Sequence, residues 1–244
     1  MSGLKPMDRK DVRRSEIMQY RDTLLRSDKY STQRQLLLKR RVFNTFNALL
    51  NHRGFASLEN GRSVLDLGSA DSAFATVCEE AGLKARGLDI NDGVDFESDA
   101  LPIRDCSVDV VTATSLIEHL HSPKLMLEEA LRALKPGGAI ILVTPNIRYT
   151  GASFYDDPTH VHPYTEISLH RVLVNAGYFD PYVVPWLVNK PAWLWDAPAK
   201  YFIAHKLIPF RGDAGRFIPA FLKGRSGALL AIAGKRLADG KQTP

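Results

Sequence analysis

An α/β fold built on a doubly wound, mostly parallel sheet is the prediction, and three observations carry it. Residues 64–74 read VLDLGSADSAF, a short apolar run that stops in an acidic residue and a small-residue loop before a helical pattern begins. Residues 87–90 read GLDI, so a second apolar run ends in Asp89 and Ile90. Apolar runs and amphipathic stretches then alternate as far as residue 144, and such alternation makes a parallel sheet with helices on both faces.

Taken in order, residues 1–28 are polar and charged and read as an arm. Residues 30–52 place Leu36, Leu37, Phe43, Phe46, Leu49 and Leu50 at three- and four-residue spacings, which predicts an amphipathic helix. Its polar side carries Lys39, Arg40 and Arg41, and Ser31 or Thr32 suits its N-cap. Strands are expected at 63–67, 85–90, a short 93–96, 108–113 and 138–144, with helices at 73–82 and 123–134. Gly137 and Gly138 follow Pro136 and turn the chain into the strand at 138–144. A further helix over 165–177 has Thr165 as N-cap and Gly177 as stop.

The first strand, loop and helix with a carboxylate at the tip of the second strand form the βαβ unit that holds an adenosine-type cofactor at the carboxyl ends of parallel strands. The loop is not the dinucleotide G-x-G-x-x-G. Only Gly68 is glycine, and Ala70 and Ser72 take the other small positions. Asp66 at the end of the first strand would repel a pyrophosphate and suits a cationic ligand. Downstream come DALPIRDCSVDVV from Asp99, then TATSLIEHL and LEEALRALKPGGAIILVTPN. In order and spacing, residues 62–180 resemble the class I S-adenosylmethionine-dependent methyltransferases.

The resemblance implies a Rossmann-like sheet, mostly parallel with an antiparallel edge strand, with 178–187 and 228–234 as the closing antiparallel pair. It implies S-adenosyl-L-methionine as cofactor. Asp89 and Ile90 would meet the ribose side and Asp99 and Ala100 the adenine. Gly68, Ser69 and Ala70 would approach by backbone beside Asp66, Thr114 and Ser115 would line the methionine end, and His119 would pack on the nucleotide. It also makes the leading helix a cover for the site, with packing on the sheet as the alternative; from their place on the arm, Tyr20 and Arg21 are further candidates to close over it.

The candidate substrate stretch is TPNIRYTGASFYDDPTHVHPY, residues 144–164, which gathers Asp156, Asp157, His160 and His162 between Tyr155 and Tyr164. Transfer to a hydroxyl gains from a general base, and histidine is the residue suited to that at neutral pH. His160 is nominated as base, with Asp157 or Asp156 as its orienting partner. The alternatives are a loop histidine with a structural role, or the two Asp and two His as ligands of a divalent ion; no metal is nominated. A similar Asp-Asp-x-Thr-His stretch occurs in methyltransferases of bacterial surface-glycan synthesis, which implies O-methylation of a saccharide hydroxyl. Small-molecule or quinone O-methylation and a cofactor-binding, non-catalytic partner subunit are the alternatives.

The 244 residues, 45% of them hydrophobic, suit one globular domain with elaborations. Three regions differ in charge: 1–60, an arm and covering helix, is net +7; 61–180, the catalytic core, is net −9; 181–244, an insertion and closing strands, is net +7. Basic ends favour an anionic partner, such as lipid head groups, a phosphorylated substrate or nucleic acid. With no RNA-binding motif present, nucleic acid is the least favoured. The segment 186–225 holds Trp186, Trp193 and Trp195 among Lys and Arg. Membrane-surface contact, a substrate lid and a homodimer contact all suit it. The two cysteines make no disulfide or metal framework, and no run approaches the roughly 18–20 apolar residues that span a bilayer. The N-terminal stretch lacks the apolar core of a secretory signal. A cytoplasmic protein is expected, with a peripheral position at the inner face of the membrane as the variant the basic ends suit.

Overall fold

The computed structural model describes residues 32–186 and 227–237, together with 210–211, 217–219, 223–225 and positions 12 and 15. Helix α1 runs Thr32–His52. Strand β1 is Ser63–Leu67, helix α2 is Ala73–Glu80 and strand β2 is Lys84–Leu88. Strand β3 is Val108–Thr114, helix α3 is Lys124–Ala133 and strand β4 is Leu134–Pro145. A single turn, α4, spans Ile147–Thr150 and is followed by helix α5, Glu166–Asn175. Strand β5 is Phe179–Pro185, a small pair is formed by β6 (Phe210–Arg211) and β7 (Lys223–Arg225), and β8 is Ala228–Gly234.

The sheet order is β2-β1-β3-β4-β8-β5. The pairs β1–β2, β1–β3 and β3–β4 are parallel, while β8 runs antiparallel to both β4 and β5. The expected closing antiparallel pair is therefore β5 with β8. Central strands buried on both faces are mainly apolar instead of alternating, as AIILV in β4 is, and in VDVVTAT of β3 the buried polar residues Asp109 and Thr112 are hydrogen-bonded. One core lies between the sheet and α3 and α5, around Leu127, Leu134, Leu169 and Leu173. The other lies between the sheet and α1 and α2, around Phe46, Leu49, Leu50 and Phe74.

Two expectations are corrected. Residues 93–96 form no strand: Val94 and Phe96 are buried, but as plugs in a loop. In α1, Leu37 is 60% exposed, so the apolar face that packs on the sheet is carried by the second half of the helix, where Phe46 meets Phe74 edge to face at 5.5 Å. Thr165 is the N-cap of α5, with a reciprocal capping box to Ser168. Trp186 packs against the second core. Tyr20, Arg21, Trp193 and Trp195 lie outside the described residues. Among the described residues no helix is long and apolar enough to cross a membrane.

Candidate active site at the carboxyl ends of the strands

The register sets Leu67 of β1 against Leu88 of β2 and Ala113 of β3, so three strands end at one level. Beyond β1 the chain turns sharply. Gly68 donates its N–H to the Leu88 carbonyl at 2.8 Å, and the backbone is left-handed at Gly68 (φ 71°), Ala70 (φ 49°) and Ser72 (φ 58°). These are the three small positions of the loop. Two of them hold side chains in a conformation that costs roughly 1–2 kcal/mol without glycine. Close approach explains Gly87: a Cβ there would meet the Ser69 hydroxyl oxygen at 2.5 Å.

Asp89 follows β2 and is half-buried. Its Oδ2 accepts the Ala70 N–H at 3.1 Å and its Oδ1 the Asn91 N–H at 3.1 Å, which holds the carboxylate across the mouth of the loop. Ile90 opens the short 3-10 turn Ile90–Asp92. Asp66 is buried at the end of β1 and accepts the Thr112 hydroxyl at 2.7 Å. Burial pushes its carboxyl up to about 6, against the pull of Lys39 on α1 and the Thr112 bond, with Asp71 and Asp89 adding to the rise. Three carboxylates thus converge on the loop. Asp99 accepts the Asp95 N–H at 3.0 Å, and Ala100 beside it is exposed.

At the end of β3, Thr114 is half-buried and Ser115 is left-handed (φ 53°) with its N–H on the Val143 carbonyl. Leu116 then closes over the loop, 3.2 Å from where a Gly68 Cβ would stand. The next turn, Ile117–His119, carries Glu118 into the interior, where it is fully buried. Its Oε2 accepts the Thr144 hydroxyl at 2.9 Å, while Oε1 has no hydrogen-bond partner. Burial pushes the Glu118 carboxyl up to about 7, with Asp157 adding to the rise.

The stretch after β4 is an excursion whose ends meet at an Asn146–Tyr164 bridge. It returns to the strand ends because the N–H groups of Val161 and His162 donate to the Glu118 carbonyl at 2.9 and 3.0 Å. The His160 and His119 rings come within 4.8 Å. His160 donates Nδ1–H to the Phe154 carbonyl at 2.7 Å, which fixes its tautomer and leaves the lone pair on Nε2. Asp157 Oδ2 stands 3.7 Å from that nitrogen. Its Oδ1 takes both the N–H and the hydroxyl of Thr159. Asp156 is exposed, and His162 stacks on Tyr164 at 4.6 Å. The structure therefore gathers Asp157, His160 and His119 and adds Glu118. The signal was present, since Glu118 sits between Ile117 and Leu120, both buried.

A methyltransferase-domain family model matches residues 37–179, and the chain belongs to that family, the S-adenosylmethionine-dependent methyltransferases. The chain is 30% identical over 135 residues to a probable S-adenosylmethionine-dependent methyltransferase of Mycolicibacterium smegmatis, covering 48% of this chain and 52% of that protein, about half its length. It is 28% identical over 105 residues to a ubiquinone biosynthesis O-methyltransferase of Idiomarina loihiensis, covering 35% of this chain and 43% of the other. In fold it is similar to a SAM-dependent methyltransferase from Archaeoglobus fulgidus, with a TM-score of 0.59 and 20% identity over 88% of this chain and all of the other.

Two outcomes are expected. Ser72 makes no side-chain capping bond, so Ser72→Gly should remove left-handed strain and raise unfolding stability by about 1 kcal/mol, read by urea denaturation; a loss would show that the side chain is needed. Glu118 has a raised folded pKa, so the folded state binds its proton more tightly than the unfolded chain does. Its effect on stability is therefore most favourable below about pH 4.5 and is lost as pH rises toward about 7. Glu118→Gln should make the fall in stability between pH 5 and pH 8 shallower, whereas parallel profiles would contradict the assignment.

Proposed function

We propose that the chain transfers the methyl group of S-adenosyl-L-methionine to a hydroxyl of a saccharide, free or carried on a glycolipid, with the activation carried out at His160. The observation that carries this reading is the His160 ring, its Nδ1–H held by the Phe154 carbonyl, on an excursion anchored to the turn whose Leu116 closes over Gly68. The three carboxylates Asp66, Asp71 and Asp89 make the loop favourable for a sulfonium cation, and the attraction weakens once transfer leaves a neutral thioether. Asp89 accepts the ribose hydroxyls, and Gly68, Ser69 and Ala70 pass along the cofactor by backbone. Asp99 and Ala100 border the adenine, while Thr114, Ser115 and His119 border the methionine end.

In the reaction the hydroxyl oxygen attacks the methyl carbon in line with the breaking C–S bond, and its proton passes to Nε2 of His160. The imidazolium formed faces Asp157 and later releases the proton to water. Positioning of the two reactants supplies several kcal/mol of the acceleration. The basic ends of the chain suit an acceptor bearing phosphate, or one presented at an anionic membrane surface. A second reading, a small phenolic or quinone-type acceptor, is supported by the Idiomarina loihiensis relative.

His160→Ala should lower kcat by about 10²–10⁴-fold against saccharide acceptors, with the Kd for S-adenosylmethionine within about twofold of the parent. Equal loss of turnover and cofactor affinity would contradict the role given to His160.

A further inference from the structure

Glu118, His119 and His160 bring their side chains together at the turn that follows β3. We infer that Glu118, His119 and His160 bind one divalent transition-metal cation, through Oε1 of Glu118 and Nε2 of each imidazole. One ligand atom from each residue lies within 4.8 Å of the others. Metal bonds of about 2.0–2.2 Å set the ligand atoms of one ion roughly 3–4 Å apart, so binding would draw the three together by about 1 Å.

A separate observation points into the same space. Glu118 is fully buried, and its Oε1 is without a partner while Oε2 is taken by Thr144. An acceptor left in that state costs about 1–3 kcal/mol, and a cation shared with two imidazoles removes the cost. Each of the three is also oriented from behind, as metal ligands are. The Phe154 carbonyl holds Nδ1–H of His160, and the Thr159 carbonyl at 3.2 Å holds Nδ1–H of His119, so both rings are set in the tautomer whose Nε2 can ligate. Two imidazoles with one carboxylate select zinc, cobalt, iron or manganese over calcium and magnesium, which prefer oxygen. Asp156 and His162 take no part.

The inference rests on the proposed methyl transfer only for what fills the open coordination position, the acceptor hydroxyl, and it changes one role. Coordination would acidify the hydroxyl. The proton would pass to Asp157, which stands 3.7 Å from His160 Nε2. The alkoxide oxygen then forms the bond to the methyl carbon as the C–S bond breaks, and His160 is a ligand instead of the proton acceptor.

The test is titration of the full chain, stripped with a chelator and dialysed, with Co²⁺ and Zn²⁺, followed by calorimetry and by the visible bands of bound Co²⁺, with neither cofactor nor acceptor present. The expected result is one ion per chain. Glu118→Gln, His119→Ala and His160→Ala should each weaken binding by 100-fold or more, Thr144→Val by about 10–100-fold, and Asp156→Ala and His162→Ala not at all. Circular dichroism and urea unfolding check that each variant is folded, and His160→Ala stands in if Glu118→Gln is not. No bound ion in the folded parent, or binding unchanged in the ligand variants, overturns the site. Methyl transfer undiminished by chelator overturns the role given to the cation. A metal-binding chain that methylates no saccharide leaves the site standing and removes the saccharide reading.

Discussion

The register of β1 between β2 and β3 is the constraint on which the rest depends. Setting Leu67 level with Leu88 and Ala113 makes three chains leave the sheet at one edge. The loop after β1 can then bond to the end of β2, Asp89 can reach the Ala70 N–H, and Leu116 can close over Gly68. A slip of one residue would turn every side chain to the other face and dissolve the site. Apolar burial on both sides of β1 and β3 fixes that register, so the hydrophobic core and the placement of polar groups have one cause.

The same edge concentrates charges that the core does not solvate. Asp66 and Glu118 are both buried, and burial raises both carboxyls to near neutral pH. Buried carboxyls of that kind cluster where a ligand is to be held or a proton moved. At the opposite edge Asp109 shows the contrasting case. Burial alone would raise it, but hydrogen bonds from Lys135, Ser63 and Arg62 outweigh burial and hold the carboxyl well below the usual range. A carboxylate with three partners serves as a structural clamp, whereas one with an oxygen left over is available for chemistry.

The alternation of apolar runs made the sheet legible, and the acidic tips of two strands made the cofactor side legible. The loop has a single glycine, and its backbone is nevertheless left-handed at Gly68, Ala70 and Ser72, which the sequence did not announce. The strand expected at 93–96 is absent because Val94 and Phe96 alternate as a strand would but spend their burial on plugging a loop. The far side of the site was less legible because it is made by pairing across the chain. Nothing local to His160 signals that its ring lies 4.8 Å from His119, and no side chain signals that a backbone carbonyl, that of Phe154, sets its tautomer. Glu118 was hidden for another reason, since only its apolar neighbours Ile117 and Leu120 signal that this turn is carried inward.

The central claim is that a loop with one glycine and three converging carboxylates holds a sulfonium cofactor. Calorimetric titration of the purified chain with S-adenosylmethionine and S-adenosylhomocysteine, with an adenine dinucleotide as control, tests it most directly. Micromolar binding of the first two and none of the dinucleotide is the predicted result. Absence of binding by both, or preference for the dinucleotide, would contradict it.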